Sequence, residues 1–224
     1  HHPIAGPLTK QTGPALTPEE VGEVDLVLAS HEHIDNLDYS GRGFLTIAPL
    51  ALTPPDVAKA FADNVEGMEE HDQKSITLRD GRTLTITAVP AHHGPEGVWE
   101  VIGPVIGFVL EAENLPTIYI SGDNSELDVV EGITAQFPHI DIAVLFVGGA
   151  KFDAIADGAY ITLSNERALA AANILKAPKV IPIHEDSWDH FSQNLTEIRE
   201  VFSAADKADA LVGLAPGDSA EVQI

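Results

Sequence analysis

HEHIDN (residues 31–36) follows directly on VDLVLAS (24–30). The second stretch is rich in valine and leucine, lies just beyond Gly22, and reads as a buried strand. Two histidines and an aspartate then stand at alternate positions where that strand ends. On a helix, His31 and Asp35 would share a face and His33 would point away. In an extended or looped backbone, all three can project to one side. The preceding strand favours the second geometry, in which imidazole and carboxylate groups converge on one or two cations. Nitrogen and oxygen donors of this kind suit zinc, with manganese or iron as alternatives.

Working outward, other predicted strands end in the same way. TITAVPA runs into His92 and His93, TIYIS into Gly122 and Asp123, and KVIPI into His184. Strand ends that gather on one edge of a sheet bring such residues together, and loops on a rigid scaffold are where sites form. Further strands are expected over 75–91, as a hairpin turning at Asp80-Gly81, then over 105–112, 140–149 and 179–186, with closing strands at 211–214 and 220–224. Helices are expected over 53–64 with Thr53 as N-cap, 125–137, 163–177 and 187–204. Ser164 is the expected cap of the third; Arg167 stands where a capping box needs glutamate or glutamine. Hairpin strands followed by strands alternating with helices indicate a layered α/β fold.

Composition narrows the function. The chain has 224 residues, of which 44% are apolar, enough for one large domain with a sizeable core, expected over 1–224. The absence of cysteine excludes disulfides, thiolate metal sites and a cysteine nucleophile. Twelve basic residues against 35 acidic ones leave a net charge of −23, a poor surface for nucleic acid or an anionic membrane. No membrane span and no signal peptide are visible, so the cytoplasm is the expected compartment. His1 and His2 read equally as native or as tag residues. The expected partner is a small-molecule substrate; a homo-oligomer is left open.

Taken together, SHEHIDNLDYSGR (30–42), PAHHGP (90–95), GPVIGFVL (103–110), SGD (121–123) and PIHEDSWDHF (182–191) resemble the metallo-β-lactamase-fold hydrolases. The similarity is greatest to their lactonase-like bacterial branch, related to ascorbate-6-phosphate lactonase. It runs from about Pro14 to the C-terminus. It implies a four-layer αββα sandwich with the site at one edge of the paired sheets. It also implies that His31, His33 and His93 hold a first metal, that Asp123 bridges two metals, and that Asp35 and His184 hold the second. His92 is the alternative to His93; the family pattern places the ligand directly before Gly-Pro. Two departures stand out. Asn36 replaces the final histidine of the family's HxHxDH signature, and an amide oxygen is a weaker ligand than imidazole, so the second site is expected to fill, with Asp35, Asp123 and His184 as its ligands, but to bind less tightly than the first. Residues 1–23 also lack the family's usual first hairpin, so the chain is expected to lack those strands or to begin inside the domain.

The implied activity is a metal-dependent hydrolase, with zinc first and Mn2+ or Fe2+ as alternatives. A water activated at the metals would attack a small ester, lactone or phosphodiester. Asp35 would orient that water or shuttle its proton. His190 could donate a proton to the leaving group, and Trp188 could line the pocket; the competing readings are packing for Trp188 and an exposed position for His190. Arg42 pairs either with an anionic substrate or with Asp38. Asn124 is a candidate support for Asp123, Gly148-Gly149 for close approach of a loop, and His71 and His139 read as exposed residues. RNA and β-lactams are disfavoured substrates. The alternatives in other classes are a non-catalytic metal-binding or regulatory domain and iron-based redox chemistry.

Overall fold

The computed structural model describes residues 8–61, 63–152 and 156–224; His1 and His2 lie outside them. Two sheets organise the chain. The smaller is parallel, in the order β1 (Val27–Leu28), β2 (Ala51–Thr53), β3 (Val65–Gly67). The larger runs in chain order through β4 (Gln73–Thr77), β5 (Thr83–Pro90), β6 (Ile106–Ala112), β7 (Ile118–Ile120), β8 (Ile142–Phe146) and β9 (Lys179–Ile183). It is antiparallel from β4 to β7 and parallel from β7 to β9. The helices are α1 (Pro18–Val21), α2 (Tyr39–Ile47), α3 (Pro55–Ala58), α4 (Trp99–Ile102), α5 (Leu127–Gln136), α6 (Asn165–Leu175) and α7 (Leu195–Ala204).

Strand periodicity sorts the side chains into layers. Ile86 and Ala88 of β5 and Phe108 of β6 meet Leu52 and Met68 between the sheets. Their strand neighbours Val89 and Val109 face the other way, into a core with Tyr119, Ala143, Leu145 and Val180. That core is closed by Val130 and Ile133 of α5, Ala168, Ala171 and Leu175 of α6, and Ile198 and Phe202 of α7. On the outer face of the small sheet, Ala51 and Val65 pack with Leu45 of α2 and Val57 of α3. The result is the αββα sandwich that the family resemblance implied, a form of the layered α/β fold read from the residues.

Several boundaries differ from expectation. Thr53 ends β2 rather than capping a helix, and α3 is a single turn behind Pro54. A residue before proline is held extended, so Thr53-Pro54-Pro55 continues the strand direction. Helix α2 was not expected, because Gly41 and Gly43 weaken its helical signal. Asp38 starts it by accepting from the Gly41 amide at 2.8 Å. Helix α7 begins at Leu195, not at 187, because Asn194 and Glu197 form a capping box there. Residues 187–193 are therefore loop. Leu211 makes one bridge to Val180, and 220–224 form no strand. The β4–β5 hairpin turns at Asp80-Gly81 as expected.

Candidate metal centre

The ends of β1, β5, β7 and β9 lie at one edge of the two sheets. There the Ile106 amide of the large sheet donates to the Ser30 carbonyl at the end of the small one. Past Ser30 the chain leaves the strand, and a turn closes when the Asn36 and Leu37 amides donate to the His33 carbonyl. This loop carries His31, His33, Asp35 and Asn36. Gly122 holds the loop after β7 with φ +59; a Cβ there would lie 2.7 Å from the Ile106 carbonyl oxygen. The next residue is Asp123. Gly148, in the loop after β8 with φ +88, lets the loop after β9 come close, since a Cβ on it would lie 2.5 Å from the His184 carbonyl oxygen.

Ligand atoms of His31, His33, His93 and Asp123 lie within 4.8 Å of one another, and so do those of Asp35, Asp123 and His184. In the first group, His31 Nε2 is 3.0 Å from His33 Nδ1. Asp123 Oδ2 is 3.5 Å from His31 Nε2 and 3.4 Å from His93 Nε2. Nitrogens about 2.05 Å from a tetrahedral zinc stand about 3.3 Å apart, so these separations suit a shared ion. The outer nitrogens are anchored. His31 Nδ1 is 2.9 Å from the Ser30 hydroxyl, and His93 Nδ1 donates to the Ile161 carbonyl at 2.6 Å. The second bond places the proton on His93 Nδ1, so Nε2 is the nitrogen directed toward Asp123; a backbone carbonyl is a usual outer partner of a metal-binding imidazole.

The second group is built differently. His184 Nε2 is 3.5 Å from Asp35 Oδ2, and His184 Nδ1 is 3.5 Å from Asp123 Oδ1. Asp35 Oδ1, Asp123 Oδ1 and His184 Nδ1 are buried without a hydrogen-bond partner. Buried polar atoms nearly always have one, and a cation among these three would satisfy them, so the residues present fit a metal. Asn36 does not present its oxygen. Its amide nitrogen lies 3.1 Å from Asp123 Oδ2, 3.1 Å from His184 Nε2 and 3.4 Å from His31 Nε2. The Asp123 carboxylate oxygen can only accept, so the donor end of the amide faces it.

The charges follow from burial. Burial pushes His31 well below the ordinary imidazole value, and His33 and His93 add to the effect. Burial also raises the Asp123 carboxyl; His184 opposes this and Asp35 reinforces it. For Asp35, burial acts upward but is outweighed by hydrogen bonds from His184 and His190, which hold it well below the usual carboxylate range. His184 is lowered by burial but raised overall by the Asp123 and Asp35 carboxylates.

Other candidates fall on both sides. His92 turns away from the cluster and stacks on Trp99, with ring centres 4.2 Å apart. His190 is not exposed: its side chain is buried, and Nε2 lies 3.0 Å from Asp35 Oδ2. Trp188 lines a cavity of about 590 Å3 together with Asp35, Asn36, His184, Phe44 and Phe146. Arg42 lines a cleft of about 530 Å3 on the other side of the cluster, with His31, His33, Ile34 and Tyr39. Its ion pair is with Glu32 at 3.8 Å, not with Asp38, whose carboxylate bonds Lys10 and Ser40. Asn124 supports the site at one remove. It accepts from the His92 amide at 3.0 Å and donates to the Glu126 carbonyl, tying the His93 loop to the Asp123 loop. Ser125 adds a second tie, accepting from the Gly94 amide at 3.1 Å. His71 and His139 are exposed. Ser30, Ser125 and the Ile161 carbonyl were missed, and only proximity to the motifs could have flagged the two serines.

An αββα sandwich with a buried histidine–aspartate cluster at one sheet edge defines a metal-dependent hydrolase of the metallo-β-lactamase type. A family model described as the Beta-lactamase superfamily domain matches residues 3–184, and the chain belongs to that family. Among curated relatives, a UPF0173 metal-dependent hydrolase of Pelotomaculum thermopropionicum is 30% identical over 218 residues, covering 94% of this chain and 89% of that protein. One of Pyrococcus abyssi is 27% identical over 219 residues, covering 96% and 89%. Among solved structures, an isothiocyanate hydrolase from Delia radicum gut bacteria superposes with a TM-score of 0.75 at 23% identity, covering 91% of this chain and 78% of that one. Igni18, a metallo hydrolase from Ignicoccus hospitalis, superposes with a TM-score of 0.71 at 19% identity, covering 94% and 85%. At these identities the structures are alike in fold. Among the described residues, no helix is long and apolar enough to cross a membrane.

Proposed function

We propose that the chain hydrolyses a small ester, lactone or phosphodiester with zinc as its metal, held at two unequal positions. The observation that carries this reading is the pair of ligand groups that share Asp123. His31, His33, His93 and Asp123 would hold one ion; Asp35, Asp123 and His184 would hold the other. Divalent cations bound there would supply Lewis acidity and a lowered pKa for water.

The chain's own residues do the rest. His93 is kept in one tautomer by the Ile161 carbonyl, and His31 is kept neutral by burial, so both offer lone pairs. Asp35 is held ionised by two imidazoles, which makes it a weak base. Its role is therefore to accept a hydrogen bond and orient the attacking water rather than to shuttle a proton. His190 spends Nε2 on Asp35, and its Nδ1 is buried without a partner, so donation to a leaving group is not its first task. The cavity walled by Phe44, Phe146 and Trp188 and the cleft bearing Arg42 flank the cluster and are of small-molecule size. A net charge of −23 also favours a small substrate over a polyanion.

The test is a panel of lactones, aryl esters and bis(p-nitrophenyl) phosphate, assayed with zinc and with manganese. Turnover of at least one class, lost on chelation and restored by metal, is expected. Inertness of the fully loaded protein to the whole panel would return the chain to the non-catalytic metal-binding reading.

A further inference from the structure

The geometry points to His190 as a positioning residue: its Nε2–H donates to Asp35 Oδ2 and turns the other carboxylate oxygen toward the second metal position. This inference rests on the proposed role of Asp35 at that position.

Four observations converge on it. First, His190 Nε2 and Asp35 Oδ2 are 3.0 Å apart, and both side chains are nearly inaccessible, at 4% and 6% exposure. A contact this short between a ring nitrogen and a carboxylate oxygen places the proton on Nε2. Second, Asp35 Oδ1 is buried without a hydrogen-bond partner, so it is the oxygen left for a cation. Third, the His190 ring cannot easily swing. It stacks on Phe152, with centres 5.6 Å apart and planes 7° from parallel, and lies 4.3 Å from the Phe191 ring. Fourth, Asn36 donates to Asp123, with its amide nitrogen 3.1 Å from His184 Nε2, where the signature would have another imidazole ligand. The second position thus has one ligand fewer, and the direction of Asp35 matters more.

His190 is not itself grouped with the ligand atoms of that position, which are those of Asp35, Asp123 and His184. It acts through Asp35, as outer partners of metal ligands do. Removing such partners typically costs about 10–100-fold in metal affinity. Its place in the sequence explains the arrangement. The chain leaves β9 at Ile183, turns at His184 with φ +63, and comes back along the loop over 187–193. Ser192 and Gln193 donate their amides to the Gly148 carbonyl, which pins that return against the loop after β8.

The experiment uses the full chain in three forms: wild type, His190→Ala and His190→Gln. Zinc uptake is followed by calorimetry and by elemental analysis after gel filtration. For His190→Ala, affinity for the second ion is expected to fall by about 10–100-fold while the first ion binds as before. His190→Gln, whose amide nitrogen can donate in place of Nε2, is expected to recover most of the loss. An unchanged second affinity in His190→Ala overturns the inference, and so does an equal loss in both variants. A second measurement needs no substitution. Long-range 1H–15N correlation of the wild type, metal-free and zinc-loaded, reads the tautomer of His190. The Nε2–H form is expected in both states; an Nδ1–H form overturns the inference. If the wild type takes up only one ion, the two-position reading fails. The tautomer and the Asp35 contact still decide the role of His190 separately.

Discussion

The two ligand groups share Asp123 yet are built on different principles. In the first, His31 and His93 are anchored from behind, by a serine hydroxyl and a backbone carbonyl. In the second, the ligands lean on one another: His184 on Asp35 and Asp123, and Asn36 on Asp123 and His184. In the first group two imidazoles have their outer nitrogens engaged, whereas the second contains buried polar atoms without a hydrogen-bond partner, which a cation would satisfy. Preorganisation therefore differs across a few ångströms, and the two positions should differ in affinity for that reason as well as in ligand count.

Substitutions can break this contrast or sharpen it. The largest effect is expected at the shared residue. Asp123→Ala should abolish uptake of both ions and all turnover, with circular dichroism showing that the fold persists. Retained hydrolysis would remove Asp123 from the centre. His31→Ala should likewise abolish turnover and first-ion binding, read by zinc titration. Next comes the support under the second group. The loop bearing Asp35 and Asn36 leads into α2, which Leu45 pins to the small sheet with no exposed surface. Leu45→Ala should cost about 2–5 kcal/mol of stability by chemical denaturation. The second ion should weaken more than the first; equal weakening would mean that α2 supports both.

Asn36→His tests the difference directly. An added imidazole ligand should tighten the second ion by about tenfold, or about 1.4 kcal/mol, and bring the two affinities closer. A calorimetric titration showing no change would place the inequality elsewhere. The smallest effect concerns the start of α2. Asp38 has its carboxyl lowered to about 2: burial acts against this, but Lys10 and the Gly41 amide outweigh it. A lowered folded value means that the stabilisation is present above the ordinary value of 3.8 and is lost as pH falls through about 2. Asp38→Ala should therefore cost about 1 kcal/mol near neutral pH, with the gap to wild type closing below about pH 4 in urea titrations.

Much of this was legible beforehand where periodicity and punctuation agreed. The hairpin around Asp80-Gly81, the strands feeding Asp123 and His184, and the Ser164 cap all rest on local patterns. Helix α2 was hidden by two glycines, because its burial depends on Leu37 and Leu45 meeting a sheet formed by distant residues. The start of α7 was misplaced because apolar residues in 187–193 serve a loop folded back over the site.

From the sequence alone came the identity of the metal-capable residues and their position at strand ends, since alternation and turn residues act over a few neighbours. Tertiary structure decided which way those side chains point. It turned His93 in and His92 out, set the Asn36 amide nitrogen against the Asp123 carboxylate, and buried His190 against Asp35. Each of those choices depends on a partner far along the chain, and no local pattern encodes the direction of a side chain toward a neighbour that only folding supplies.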